Sequence, residues 1–135
     1  MSINNVRNET DPDFMPENLL TSITSIGKLK ERTKVMNALK DGKDLYLIPH
    51  PDGLGDIFVT EEKPNLPNLD GLLDTTKAGV LFNQDASARI ALQRGEILGL
   101  RMEGGSQENP YQINVYRLGG NVRAEDDERG QWHRG

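Results

Sequence analysis

The residues whose types could do chemistry cluster in one short stretch around His50. This histidine, Asp52 and Asp56 place one imidazole and two carboxylates within seven residues. Nitrogen and oxygen ligands at this spacing could hold a divalent cation if Glu61 or Glu62 completed the coordination shell. The stretch is therefore the candidate for a metal-binding or small-ligand loop.

Turn formation explains the same residues without a ligand. Asp52 can accept hydrogen bonds from backbone N–H groups, and Gly53 and Gly55 can adopt the positive φ that tight turns require. We interpret the stretch first as a turn, and keep a ligand-binding or metal-binding loop from His50 to Asp56 as an alternative. No metal and no cofactor are predicted.

Other signatures of catalysis are missing from the sequence. The chain has no cysteine, which excludes disulfides, thiolate zinc sites, iron–sulfur clusters and cysteine nucleophiles. It contains no Walker loop, no G-x-G-x-x-G and no H-E-x-x-H. A catalytic serine would need His50 or His133 as its base, and neither lies near a G-x-S-x-G motif. We therefore expect a protein that is not an enzyme.

Charge is segregated along the chain, although the net charge is only −5. Residues 28–43 contain six basic and two acidic residues, whereas residues 44–88 contain eight acidic and two basic ones. Opposite charges in separate segments favour head-to-tail contact between copies of one protein. The acidic segment includes Asp52 and Asp56, which are candidate partner-binding residues.

Lys30 and Lys34 are the part of the basic segment that could contact a partner. They lie four residues apart, so a helix would place them on one face. Nucleic-acid binding would need more cations on that face with aromatic side chains among them, but no aromatic residue lies between positions 15 and 45. The pattern therefore favours a protein partner over nucleic acid.

Both ends of the sequence are polar, yet each carries an aromatic residue. Residues 1–15 include Phe14, and the charged residues 119–135 hold the only tryptophan, Trp132. Segments of this composition gain little free energy from burial on their own chain. Trp132 could fold back, extend into solvent, or bind in a neighbour's pocket, which is a common role of tryptophan at interfaces. Phe14 and Trp132 are therefore candidate partner-binding residues.

Between these ends, residues 16–118 are predicted to form one α+β domain. The apolar spacing over residues 16–41 indicates a long amphipathic helix that begins near Pro16, with Gly27 as an interruption. Residues 44–62 are typical of a β-hairpin. An irregular connector over residues 63–77, rich in proline and asparagine, is expected to follow.

The second half of the domain is predicted to run strand, helix, strand, strand. Residues 78–82 form a short apolar run, Asp85 could cap a helix that Gly95 ends, and strands follow over residues 96–102 and 111–118. The predicted fold is a long N-terminal helix packed on a mostly antiparallel sheet of four or five strands, with extended polar tails at both ends.

Two details of these last strands are specific enough to check. Gly99 interrupts the first of them and is a candidate β-bulge. The other alternates apolar and polar residues, so we expect a half-exposed strand with Tyr111, Ile113 and Val115 on its buried face.

These features predict a structural subunit of a larger protein assembly, in which residues 1–15 and 119–135 strap onto adjacent copies. Bacteriophage virion proteins, such as head-decoration, connector or tail proteins, are one class with this design. The alternative is a small acidic regulator or inhibitor that binds a host protein through residues 44–88. No membrane segment and no signal peptide are visible, so we expect synthesis in the cytoplasm, followed by a place in a virion if the first reading holds.

Overall fold

The described part of the chain is built around a β-sheet whose strands are joined by backbone hydrogen bonds. The computed structural model describes residues 12–24, 26–27, 32–51, 55–61, 72–82, 85–104 and 111–122. The strands are β1 (Leu19–Ile23), β2 (Leu45–Pro49), β3 (Asp56–Thr60), β4 (Leu72–Lys77), β5 (Glu96–Glu103) and β6 (Gln112–Asn121). The helices are α1 (Arg32–Lys40), α2 (Ala78–Leu81) and α3 (Ala86–Gln93). The six strands form one antiparallel sheet in the order β1-β6-β5-β2-β3-β4.

Alternating side chains give the centre of this sheet two buried faces. On one face, strand residues such as Leu47, Leu98 and Val115 pack with the buried side chains of α1, α2 and α3 to form the main core. The opposite face, here called the far face, contains the strand residues Tyr46, Ile48, Ile97 and Tyr116, which are all buried as well. The far face therefore needs a cover that the helices do not supply.

Several predicted elements are confirmed. The hairpin is present as β2 and β3, and its ends are joined by a hydrogen bond from the backbone N–H of His50 to the carbonyl of Asp56. Asp85 caps α3, because its side chain accepts a hydrogen bond from the backbone N–H of Ala88. Gly95 follows that helix with a φ of 95°, which is the left-handed conformation expected where a helix ends.

The long N-terminal helix is the main error of the sequence prediction. Residues Pro16–Asn18 form a 3-10 turn, Leu19–Ile23 form β1, and the described α-helical residues of this segment are Arg32–Lys40. The apolar residues of this segment can be buried by a helix or by a strand. Ile23, for example, packs on the main core as part of a strand. The open edge of β6 and the β-branched residues of this segment favour the strand, since tertiary pairing overrides a weak local preference for helix.

Two further corrections, together with the added β1, change the strand count from the predicted four or five to six among the described residues. Residues 72–77, expected to be part of an irregular connector, form the edge strand β4. Residues 78–82, expected to be a strand, instead begin as α2, with Ala78, Leu81 and Phe82 buried and the residues between them exposed. Burial three and four residues apart is typical of a helix. A run of five residues is too short for sequence alone to distinguish this pattern from a strand.

The polar residues of β6 are more buried than their alternation predicted. Ile113 and Val115 face the main core as expected, but Asn114 and Tyr116 are also buried, because the far face is covered too. Gly99 is not a bulge: it pairs in register with both Tyr46 and Tyr116, and the irregularity in β5 lies nearer its start, between Glu96 and Leu98.

The described body extends beyond the range expected from the sequence. A 3-10 turn at Pro12–Phe14 buries Phe14, and β6 continues to Asn121, followed by the buried Val122. Within the described ranges, no helix has the length and apolar character needed to cross a lipid bilayer.

Backbone atoms confine Gly27 closely and leave no room for a side chain. Its backbone N–H donates to the carbonyl of Leu81, and a Cβ built at Gly27 would lie 1.7 Å from the carbonyl oxygen of Val80. We expect Gly27→Ala to lower the free energy of unfolding by at least about 2 kcal/mol, because backbone atoms must move to relieve the clash. Urea unfolding measures the effect.

Gly79→Ala is the matched control for this substitution. A Cβ at Gly79 meets no atom within 4 Å, and alanine favours a helix over glycine. This variant should therefore be as stable as the wild type or slightly more so. Equal losses in the two variants would contradict the close approach at Gly27.

Candidate functional site

The end of the β2–β3 hairpin contains the candidate loop of the sequence analysis. Strand β4 runs alongside β3 so that Lys77 is in register with Asp56. The ammonium of Lys77 lies 2.6 Å from a carboxylate oxygen of Asp56. The ring of His50 packs beside that of Phe58, with 5.9 Å between their centroids. The described part of the loop is thus an ion pair between adjacent strands with a neighbouring aromatic contact.

Lys77 changes the acidity of this carboxyl group. Its hydrogen bond and its positive charge hold the pKa of Asp56 below the ordinary value of 3.8, and the charge of His50 acts weakly in the same direction. Both side chains of the pair remain substantially exposed, 56% for Lys77 and 43% for Asp56, so the pair is screened by solvent. The carboxylate of Asp56 already has a cationic partner.

The metal-loop interpretation gains no geometrical support from these contacts. Within the described ranges, no three histidine, aspartate or glutamate side chains lie close enough to share a metal ion. Asp52 and Glu62 lie outside the described residues, and Glu61, the other glutamate that could complete the shell, lies 3.4 Å from the ammonium of Lys43.

A second cluster, which the sequence analysis missed, lies on the far face around Phe14. Its ring meets those of Tyr46 and Tyr116 edge-on, with centroid distances of 6.1 Å and 5.1 Å. Such edge-to-face pairs stabilise by about 0.5–1.5 kcal/mol beyond the area they bury. We call the site formed by Tyr46, Gly99, Arg101 and Tyr116 the Phe14 socket.

A buried ion pair forms one wall of the socket. Arg101 donates from Nε and Nη2 to the two carboxylate oxygens of Asp44, at 2.9 Å and 2.7 Å. The two side chains are only 3% and 10% exposed. The guanidinium carbon of Arg101 lies 4.4 Å from the centroid of the Phe14 ring, which is cation–π geometry. The aromatic ring therefore covers a guanidinium group whose charge is also paired with the Asp44 carboxylate.

Gly99 makes room for the aromatic ring. A Cβ at Gly99 would lie 2.7 Å and 2.8 Å from two carbon atoms of the Phe14 ring, closer than real Cβ atoms approach their neighbours. The glycine that the sequence suggested as a bulge is thus a regular strand residue whose missing side chain admits Phe14.

Hydrogen bonds extend the socket to the edge of the sheet. The hydroxyl of Ser22 on β1 donates to the side-chain oxygen of Asn114 at 2.7 Å, and the amide nitrogen of Asn114 donates to the hydroxyl of Tyr116 at 3.2 Å. On the same strand, the hydroxyl of Thr21 donates to the α3 cap Asp85 at 2.9 Å. One aromatic ring and two hydroxyl groups therefore hold the N-terminal segment in addition to the backbone pairing of β1 with β6 and the apolar contacts of β1 with the main core.

The three described partner-binding candidates of the sequence analysis lie on separate elements. Phe14 is 4% exposed and packs on its own chain. Lys34 is exposed on α1, and Asp56 is paired with Lys77 at the hairpin end. The other candidates, Trp132, Lys30 and Asp52, lie outside the described residues.

The described chain enters and leaves the body on the same face. Phe14 packs with Tyr46 and Tyr116 on the far face, while Val122 packs with Ile48 and Ile97 there. Leu118 contacts both clusters, so they adjoin. The backbone N–H of Val122 also donates to the carbonyl of Gly95 at 2.8 Å, which fixes the exit point.

Comparisons with known proteins add no identification: no protein-family model, no curated protein and no solved structure matches the chain. Function must therefore be argued from the geometry.

Arg101→Met should be strongly destabilising. It leaves the carboxylate of Asp44 buried without its cation, a loss that typically lowers the free energy of unfolding by about 3–5 kcal/mol. Urea unfolding measures it. Lys77→Met, which breaks the exposed pair with Asp56, is the control and should unfold close to the wild type. Similar losses in the two variants would contradict a special role for the buried pair.

The acidity of Asp56 should depend on Lys77. Because the folded pKa lies below 3.8, the ionised carboxylate stabilises the fold at higher pH, and this contribution is lost as the pH falls through the folded pKa. In Lys77→Met we expect the pKa to rise towards 3.8, as measured by NMR titration of the Asp56 carboxyl carbon. Lys43→Met, which removes the partner of Glu61 instead, should leave this titration unchanged.

Proposed function

We propose that this chain is a non-enzymatic structural subunit of a larger protein assembly, and that residues 1–11 and 123–135 attach it to neighbouring subunits. One observation carries the proposal: the described chain enters at Phe14 and leaves at Val122 on the same face of the sheet. Two segments that start from one face can bind a single neighbouring surface together, which raises their combined affinity through effective concentration.

The reach and composition of the C-terminal segment support attachment to another molecule. Trp132 is ten residues beyond Val122. A chain of that length can span up to about 33 Å, which exceeds the radius of gyration of about 13 Å of a domain of this size. Trp132 can therefore reach past the body of its own chain. Tryptophan is also among the residues that contribute most binding energy at interfaces.

The charge pattern gives this proposal less support than the sequence suggested, because most described acids of residues 44–88 already have internal contacts. Asp44 pairs with Arg101, Asp56 with Lys77, and Glu61 with Lys43. Asp85 caps α3, and Asp74 is buried.

The same contacts weigh against the alternative function, a small regulator that binds a host protein through an acidic surface. Such a regulator would need its carboxylates free to meet the partner's cations. Assembly through residues 1–11 and 123–135 does not require free carboxylates in residues 44–88. Bacteriophage head-decoration, connector and tail proteins are one class of subunit with a body and binding tails, and a place in a virion is proposed by that analogy of design alone.

Truncation after Val122 tests the proposal. The cut must not fall earlier, because β6 runs to Asn121 and Val122 is buried. We expect the full chain, whose monomer is 15.0 kDa, to form species larger than a dimer as concentration rises, and the truncated chain to lose these larger species while keeping its circular dichroism spectrum. Light scattering across a concentration series measures the mass.

Trp132→Ala should weaken assembly nearly as much as the truncation, if the indole is the main contact. His133→Ala is the matched control, since it alters the adjacent residue without removing the aromatic group of Trp132, and it should assemble like the wild type. A wild-type chain that stays monomeric at every concentration, or a truncated chain that assembles equally well, would overturn the proposal.

A further inference from the structure

The N-terminal part of the described chain is held at the margin of the fold. Residues 12–23, here called the N-terminal unit, comprise the two 3-10 turns and β1. β1 is an edge strand that pairs with β6, and all its residues are at least partly exposed, whereas every residue of β2 is buried. Elements with few buried residues open at a lower free-energy cost than the core does.

The contacts of this unit are with distant parts of the sequence. Phe14 occupies a socket on β2, β5 and β6. Thr21 contacts Asp85, 64 residues away, and Ser22 contacts Asn114, 92 residues away. The receiving site is thus built by the rest of the body, and an identical N-terminal unit from a second copy would make the same contacts there.

The connection between the unit and the body is very short. β1 ends at Ile23, and the body begins again at Ile26, which is 5% exposed in the main core. The next residue, Gly27, donates its backbone N–H to Leu81 at 2.9 Å and is confined by the Val80 carbonyl. Only Thr24 and Ser25 lie between these two fixed points. Short hinges between separately held elements favour exchange between copies over closure within one chain.

We propose that the N-terminal unit exchanges between copies of this chain, so that Phe14 of one copy fills the socket of another and its β1 extends that copy's sheet at β6. The exchange preserves every contact of the unit. The equilibrium between the closed monomer and the exchanged dimer is therefore set by the hinge and by the protein concentration. It rests on the proposed assembly function and adds to it a contact between two copies that does not involve residues 123–135, so the chain truncated after Val122 should still exchange. The receiving site fits this partner because Arg101, Tyr46 and Tyr116 surround an aromatic ring and Asn114 accepts from a hydroxyl.

Cysteine cross-linking between copies tests the exchange directly. The chain has no cysteine, so introduced thiols are the only ones. Ser22 and Asn114 are in register, and their side chains are 2.7 Å apart. Full-length Ser22→Cys and Asn114→Cys variants, carrying tags of different mass, are mixed at high concentration and oxidised. Exchange predicts a disulfide-linked heterodimer on a non-reducing gel, several-fold above the control.

The control pair uses the opposite edge of the sheet. Asp56 and Lys77 are likewise in register and in contact, but they join β3 to β4 and are more exposed than Asn114. A mixture of Asp56→Cys and Lys77→Cys measures how often exposed thiols of two copies meet by collision. The double variant Ser22→Cys/Asn114→Cys, oxidised when dilute, establishes that the geometry allows the bond, because it should cross-link within one chain.

Lengthening the hinge should reverse the exchange. A Gly-Ser-Gly-Ser insertion between Thr24 and Ser25 lets the unit close on its own chain more easily, so the heterodimer should fall several-fold. If the double variant cross-links within one chain while the mixed variants give no heterodimer above the control, exchange is overturned. Should the wild type still assemble by light scattering in that case, the structural role stands without it; a purely monomeric wild type would remove both.

Discussion

The bidentate contact between Arg101 and Asp44 is the interaction on which the far face depends. It places a fixed, fully paired charge between the central strands β2 and β5. A buried guanidinium without its carboxylate would need water, and water would open this face of the sheet. With the pair complete, its outer surface can be covered by a single aromatic ring, that of Phe14. The sheet therefore has a second buried layer without a second layer of helices.

Local sequence could not predict the buried ion pair or the aromatic ring that covers it. Asp44 and Arg101 are 57 residues apart, and each looks like an ordinary charged residue at the end of a hydrophobic strand. Gly99 resembled a bulge because glycine in a strand marks either an irregular backbone or a close neighbour, and sequence does not distinguish the two. The neighbour is Phe14, which lies in a polar stretch that was expected to gain little free energy from burial on its own chain. Only the folded register brings these residues together.

Local sequence did predict the elements that are specified by residues within or next to the element itself. The hairpin and α3 follow from turn residues and from the Asp85 cap, which act within a few positions of themselves. The N-terminal prediction was wrong for a physical reason: burial at intervals of three or four suits a helix, but Ile23 meets the same requirement from an edge strand. The backbone hydrogen bonds of β1 are made with β6, almost a hundred residues later in the sequence. The local sequence of β1 therefore does not indicate that it forms a strand.

The distribution of burial links this architecture to assembly. The centre of the sheet is buried on both faces and is held by strands β2, β5 and β6, so it can stay unchanged while the margins rearrange. The N-terminal unit and the exit at Val122 both lie against that centre, on the far face. In the proposed assembly, a neighbour that engages either end would therefore meet a surface backed by this buried centre. Attachment at two points on one face would then lower the entropic cost of binding the second segment once the first is bound.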